Sequence, residues 1–140
     1  MHGFLDTIRQ AQPLTPIVLI TAIACPIHEN APGPTVAGPD GKAMPLPRIQ
    51  DDRDGRLTLA ATREFIGSVV QSRDDDALFL LDGLSLFGPA EAHHLHDNLH
   101  PDLEGNDLIG ERFVAIARDP ESPLGKARSL ALGLAQAVPA

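Results

Sequence analysis

The sequence predicts an α/β layered domain in which parallel strands are flanked by helices. Two short apolar runs, at residues 17–23 and 77–81, have the composition of strands buried on both faces. Segments with apolar residues at helical spacing precede, separate and follow these runs. Because alternating helices and strands are typical of parallel sheets, we expect a single α/β domain over residues 1–140.

The first strand follows a predicted helix and leads into a segment of different character. Residues 3–12 have helical spacing, and Pro13 ends that helix before the apolar run begins. From Pro26 to Gly55 the chain is rich in proline and glycine and shows no periodicity. We therefore expect residues 26–55 to form a mobile excursion outside the core that borders the functional site.

The second half of the chain contains the other strand and three predicted helices. Thr58 can cap a helix that runs to about Ser72, and the run 77–81 follows it. A helix from about Asp102 to Ala117 comes next, and Ser122 can cap a last one in a helical tail over 119–140. Inward-facing positions are expected at Leu108, Ile109, Phe113 and Ile116.

Composition excludes several classes of partner. The chain carries a formal net charge of −8, and its basic residues are scattered, so nucleic acid and anionic membranes are unsuitable partners. Cys25 is the single cysteine and cannot form an internal disulfide. The run 17–25 is too short to cross a bilayer, and the first residues do not have a secretory signal pattern. We expect a cytoplasmic protein that needs no cofactor.

The strongest functional signal is the segment Asp97-Asn98-Leu99-His100-Pro101, followed by Gly105. An aspartate three residues before a histidine can hold the imidazole in one tautomer and stabilise its charged form. The segment also follows a predicted strand, where sites form in open α/β sheets. We interpret His100 as a general base and Asp97 as the residue that orients it.

The pattern Asp-x-x-His-Pro-x-x-x-Gly resembles the last sequence block of the SGNH (GDSL-type) hydrolases. Looser resemblances to a bacterial subfamily occur at 16–29, 81–89 and 110–113, so the similarity extends to about residue 118. It implies an esterase with the last strands and helices of a flavodoxin-like sheet. The Gly-Asp-Ser block and the oxyanion-hole Gly and Asn blocks have no counterpart, so the chain resembles the C-terminal portion of such an enzyme.

The family resemblance therefore does not identify the nucleophile of the predicted catalytic triad. Serine candidates are Ser68, Ser72, Ser85, Ser122 and Ser129. None lies on a sharp strand-to-helix turn of the kind that exposes a nucleophile. Ser85 precedes the histidine-rich loop and is the nearest of them in sequence to His100, so it is the first candidate.

Two other groups of residues suggest competing chemistry. His93, His96, Asp97 and His100 would share one face of a helix and could then bind a metal ion, but Pro89 and Pro101 favour a polar loop. Cys25 and His28 suggest a thiol nucleophile. Neighbouring Glu29 opposes the electropositive setting that a reactive thiol needs, so a buried inert cysteine is favoured.

The sequence thus predicts a carboxylic ester hydrolase of the SGNH type, or a truncated form of one, acting on short acyl esters without a metal. The alternatives are a non-catalytic oligomerising remnant and, less favoured, a metal-binding protein that uses the histidines. Two strands make a thin sheet with exposed edges, so we also expect the chain to self-associate as a homo-oligomer.

Overall fold

The computed structural model describes residues 1–46 and 57–137. Five helices and four strands lie within these ranges, with two 3₁₀ helices at Gly83–Ser85 and Pro89–His94. The helices are α1 (His2–Ala11), α2 (Pro26–Glu29), α3 (Leu59–Gln71), α4 (Leu103–Arg118) and α5 (Pro123–Ala137). The strands are β1 (Ile17–Ile20), β2 (Thr35–Ala37), β3 (Ala43–Pro45) and β4 (Leu78–Leu81).

The parallel sheet predicted from the two apolar runs is confirmed. β1 pairs with β4 in parallel, from Ile17 opposite Leu78 to Ile20 opposite Leu81. Leu5 of α1, Val69 of α3 and Leu78 form a buried cluster against one face of this pair. Helix α5 contacts both strands, and side chains alternate along a strand, so helices cover the sheet from both faces.

Helix α3 and helix α5 begin at the predicted caps. The hydroxyl of Thr58 accepts a hydrogen bond from the Ala61 N–H at 3.1 Å. The hydroxyl of Ser122 accepts one from the Gly125 N–H at 2.9 Å. Both side chains satisfy backbone donors that the first turn of a helix leaves without partners.

β1 is shorter and more exposed than the sequence predicts. It ends at Ile20 rather than Ile23, because the carbonyls of Ala22 and Ile23 accept hydrogen bonds from the Arg63 guanidinium instead of from a strand. Full burial on both faces is also wrong for this strand, since Ile20 is 43% exposed. In the described part of the chain the sheet has only two strands, and two strands cannot be fully covered by their helices.

The expected inward position of Phe113 is likewise wrong. Its side chain is 38% exposed, whereas Leu108, Ile109 and Ile116 on the same helix are half-buried. Helix α4 packs against α5 and the second 3₁₀ helix.

The proline- and glycine-rich segment carries regular structure that its sequence does not suggest. It contains helix α2 and an antiparallel hairpin, in which Thr35 of β2 lies opposite Pro45 of β3 and Ala37 opposite Ala43. An irregular excursion over the whole segment is therefore wrong. Residues 47–55 of the predicted excursion lie outside the described residues.

One glycine fixes the exit of β4. A Cβ at Gly83 would lie 2.1 Å from the Thr21 carbonyl oxygen, so only glycine permits this approach. Its N–H donates to the Thr21 hydroxyl at 2.8 Å. The segment that leads to the histidine-rich loop is thereby held against the carboxyl end of β1.

No helix in the described ranges combines the length and the hydropathy that a membrane crossing requires.

Candidate active site around Asp97 and His100

Asp97 and His100 lie in a tight loop between the second 3₁₀ helix and α4. The loop is closed at its base by a bridge between Leu95 and Pro101 and by a 2.8 Å hydrogen bond from the Asp102 N–H to the His94 carbonyl. Because the two ends are fixed to each other, the residues between them form a short protruding turn.

The structure brings the two predicted residues together. Nδ1 of His100 lies 2.7 Å from Oδ2 of Asp97. The other carboxylate oxygen accepts the backbone N–H groups of His100 at 2.7 Å and Leu99 at 3.0 Å. One carboxylate therefore shapes the turn with one oxygen and orients the imidazole with the other.

This arrangement assigns the proton on the imidazole. The His100 ring and the two backbone N–H groups hold the pKa of the Asp97 carboxyl well below its usual range, so the carboxylate is ionised and can only accept. Nδ1 must then carry the proton, which leaves the lone pair on Nε2. Nε2 has no hydrogen-bond partner within residues 1–46 and 57–137, and the His100 side chain is 68% exposed. The ring can accept a proton from a group that approaches from solvent.

Asn98 supports the loop from a backbone conformation that few residues adopt. Its φ is +69°, in the left-handed region that asparagine tolerates. Its side chain donates to the Ala43 carbonyl at 3.2 Å, and the Ala43 N–H donates to the Asp97 carbonyl at 2.8 Å. Strand β3 is thus fastened to the loop by two hydrogen bonds, an arrangement that the sequence pattern does not reveal.

A second support comes from the segment after β1. The Cys25 thiol donates to the Asn98 carbonyl at 3.7 Å, so this segment lies directly beside the loop. Arg63 binds both oxygens of Glu29 at 2.7 Å, and Glu29 accepts the Cys25 N–H at 3.2 Å. Arg63 and Glu29 give no chemical signal in the sequence, although a buried arginine with a carboxylate partner is a common structural clamp.

The surroundings of the thiol do not activate it as a nucleophile. Burial, and then the charge of Glu29 among other causes, raises the pKa of Cys25 above its usual value. His28 has both ring nitrogens engaged, because Nδ1 lies 3.0 Å from the Ala31 carbonyl and Nε2 lies 2.7 Å from the Thr35 hydroxyl. Neither residue is arranged as a thiol–imidazole pair.

The helical side of the loop is packed closely. A Cβ at Gly105 would lie 3.0 Å from the His94 Cβ and 3.3 Å from the Phe87 ring, so the small residue that the motif supplies allows α4 to approach the loop. Arg112 of α4 binds Glu91 at 2.8 Å, and Glu91 also accepts the Gly88 N–H at 2.8 Å. These contacts fix α4 to the 3₁₀ helix that precedes the loop.

The serine hydroxyls are all engaged locally. Each of the five donates to a backbone carbonyl, and Ser85 donates to Asp82 at 2.6 Å in the turn after β4. No hydrogen bond joins a serine to His100 within the described residues. Of the other four serines, Ser68 donates to Phe65, Ser72 to Val69, Ser122 to both Ile116 and Asp119, and Ser129 to Gly125.

The histidines do not share the helical face that metal binding would use. The 3₁₀ helix ends at His94, and the Nδ1 atoms of His93 and His96 bind the carbonyls of Ala90 and His100 at 3.0 Å. Within residues 1–46 and 57–137, no three His, Cys, Asp or Glu side chains are placed to hold a metal ion.

Two of the cavities formed by the described residues lie at opposite ends of the sheet. The larger, about 480 Å³, is lined by Arg9, Arg73 and Asp75 near the amino ends of the strands. Arg9 and Asp75 pair with each other at 2.9 Å, so these groups neutralise each other. The smaller, about 300 Å³, is lined by Leu99 of the loop together with Cys25 and its neighbours. We place the functional site at the smaller one, since sites in parallel sheets form at the carboxyl ends of strands.

Comparison with known proteins identifies a solved structure of similar fold. No protein-family model matches this sequence, and neither does any curated protein. Among solved structures, the chain is similar to the salicylyl-acyltransferase SsfX3 from a tetracycline biosynthetic pathway, with a TM-score of 0.56 and 24% sequence identity. The match covers 84% of this chain and 31% of that one, so the chain spans about a third of the relative. This likeness supports the α/β fold.

Proposed function

We propose that the chain carries the Asp–His pair of a carboxylic ester hydrolase of the SGNH type that acts on short acyl esters. The observation that carries this proposal is the 2.7 Å contact between Asp97 Oδ2 and His100 Nδ1, with Nε2 directed away from that contact on an exposed ring. A carboxylate that fixes the tautomer of an accessible imidazole is the basic half of a catalytic triad.

The proposed reaction is acyl transfer assisted by His100. A hydroxyl attacks the ester carbonyl while its proton moves to Nε2, and the ring then gives that proton to the departing alkoxide. Asp97 stabilises the imidazolium that forms between these steps. Because the serines of this chain are engaged with backbone carbonyls, we propose that the attacking hydroxyl is water in the isolated chain and a serine from another segment in a complete enzyme.

Transfer to an alcohol instead of water is the second candidate reaction. The solved structure that this chain resembles is named an acyltransferase, and the same histidine can remove a proton from an acceptor alcohol. Hydrolysis and transfer then differ only in whether water or the alcohol accepts the acyl group. Adding an alcohol to the assay and measuring the ratio of new ester to free acid distinguishes them.

We further propose a cytoplasmic location and a small-molecule ester as the partner of the site. The single cysteine gives no sign of a disulfide framework, and the charge of −8 does not suit an anionic surface.

Replacement of His100 tests the proposal. We expect His100→Ala to reduce p-nitrophenyl acetate turnover to the rate without protein, because Nε2 is the proposed proton acceptor. His93→Ala is the matched control, since His93 is also exposed but its Nδ1 binds a backbone carbonyl instead of a carboxylate. Equal turnover by both variants would refute the assignment, and a wild type with no turnover above the rate without protein would favour the non-catalytic remnant.

A further inference from the structure

The described part of the cavity beside the catalytic loop has a largely apolar lining. Leu57, Leu59 and Leu99 contribute apolar side chains, Cys25 and Thr35 contribute small polar ones, and His28 contributes an imidazole whose two nitrogens are both engaged in hydrogen bonds. Among residues 1–46 and 57–137, no Asp, Glu, Lys or Arg side chain belongs to this lining. A cavity with this composition favours an uncharged, largely apolar ligand.

The cavity and the base share one short loop. Leu99 lines the cavity, and its backbone N–H binds the same Asp97 carboxylate that orients His100. Leu99 also directly precedes His100 in the chain. A ligand that lies in the cavity with one polar end toward the loop would therefore place that end near the base.

The walls are held in place by hydrogen bonds that do not depend on a ligand. His28 ties the end of α2 to β2 through Thr35 at 2.7 Å. Glu29 and Arg63 join α2 to α3, which carries Leu59, through their double contact at 2.7 Å. A pocket formed in advance costs little ordering entropy when it is filled.

We infer that this cavity, lined by Leu57, Leu59 and Leu99, binds the acyl group of the ester, an inference that rests on the proposed function. Its volume of about 300 Å³ lies at the lower end for ligand pockets. A methylene group fills nearly the space of one water molecule, about 30 Å³, so the cavity has room for an acyl chain of up to about ten carbons. Bulkier or charged acyl groups are excluded by size and by the cost of burying charge.

Cys25 provides a readout that does not require turnover. It is the single cysteine of the chain and lines the cavity, so its alkylation by N-ethylmaleimide reports whether the cavity is filled. The probe is 2-octanone, an uncharged ketone that resembles the acyl portion and cannot be hydrolysed. We expect saturating 2-octanone to slow alkylation at least fivefold, and 2-butanone at the same concentration to slow it less than twofold. The reaction is run at alkaline pH, because burial raises the pKa of the thiol.

A cavity-filling variant with a matched control completes the test. Leu57→Trp should abolish the protection by 2-octanone, and Leu132→Trp should leave it intact, since the two leucines are 53% and 58% exposed but only Leu57 lines the cavity. Leu59→Trp serves as a second filling variant if Leu57→Trp does not fold. Absence of protection in the wild type, or equal protection in every variant, would overturn the inference.

Different results would refute the proposed hydrolase function and the proposed acyl-binding cavity. His100→Ala should retain the protection of Cys25, because the His100 side chain does not line the cavity. Protection without His100-dependent turnover would refute the proposed function while supporting binding in the cavity. Turnover without protection would refute the acyl pocket alone.

Discussion

At the scale of single residues, the Asp97 carboxylate has two structural tasks that a substitution can separate. Its Oδ1 accepts the N–H groups of Leu99 and His100, which shapes the turn. Its Oδ2 accepts a hydrogen bond from the His100 Nδ1–H, which sets the tautomer. An amide can still accept a hydrogen bond with its oxygen but cannot accept one with its nitrogen.

Asp97→Asn should therefore keep the loop and change the imidazole. We expect turnover to fall about 100-fold or more, because the ring loses its fixed tautomer and the charge that stabilises imidazolium. Nitrogen NMR of His100 should show the proton on Nδ1 in the wild type and a mixture of tautomers in the variant. Asp107→Asn, at an exposed position of α4, is the control. Unchanged tautomers in Asp97→Asn would contradict the assignment.

Asn98 contributes both a backbone conformation and a side-chain hydrogen bond. Asn98→Gly permits φ of +69° but loses the 3.2 Å bond to Ala43, at a cost of about 1 kcal/mol. Asn98→Ala loses the bond and is strained as well, which should cost about 2 kcal/mol. Urea unfolding of both variants measures this order, and greater stability of the alanine variant would show that the conformation is not strained.

The sequence predicted the contacts in the site that join residues close together in the chain. Asp97 and His100 could be predicted because their spacing permits the observed contact. Arg63 could not be assigned, because its donors bind the carbonyls of Ala22 and Ile23, about forty positions earlier in the chain. Nothing in the local pattern indicates such partners, since long-range backbone contacts depend on the fold.

At the scale of elements, long helices could be predicted from the sequence and short strands could not. Helices α3 and α4 were predicted within two residues of their ends, since several turns of helical spacing and an N-cap define each. The hairpin of β2 and β3 was missed, because strands of three residues are too short to show alternation. Its position depends on Asn98 and Asp97, which lie more than fifty residues later.

The ion pair between α4 and the second 3₁₀ helix makes stability depend on pH. Hydrogen bonds from Arg112 and then from the Gly88 N–H lower the pKa of Glu91 from 4.5 to about 2. A group whose pKa is lowered by folding stabilises the folded state above its unfolded value and loses that effect as pH falls through the folded value. The stabilisation should therefore be complete above about pH 5 and disappear near pH 2.

Glu91→Gln measures this contribution. Urea midpoints of the wild type and the variant should differ most at neutral pH, converge as pH falls below 4.5 and coincide near pH 2. Glu111→Gln, at an exposed position on α4, is the control and should follow the wild type throughout. A difference that stays constant with pH would show that the variant acts through packing and not through charge.

At the scale of the whole molecule, the described sheet has more surface than its helices cover. Ile20 at the end of β1 is 43% exposed, Phe4 of α1 is 64% exposed and Phe65 of α3 is 44% exposed. A parallel pair of strands with nothing hydrogen-bonded beyond it in the described residues leaves backbone groups at both edges. The sequence predicted this thin sheet, since it contains only two runs long and apolar enough for parallel strands.

We therefore expect the isolated chain to self-associate. Burial of apolar surface is worth about 25 cal/mol per Å², so covering several hundred Å² stabilises a dimer by several kcal/mol. Light scattering at micromolar concentration should give a mass near twice that of the chain or more.

Ile20→Lys places a charge at the end of β1 and should weaken association at least tenfold, because edge charges oppose strand pairing. Leu132→Lys, on the exposed side of α5, should have little effect. A monomer with a cooperative melt would show that two strands and their helices suffice, and that the edge of β1 needs no second chain.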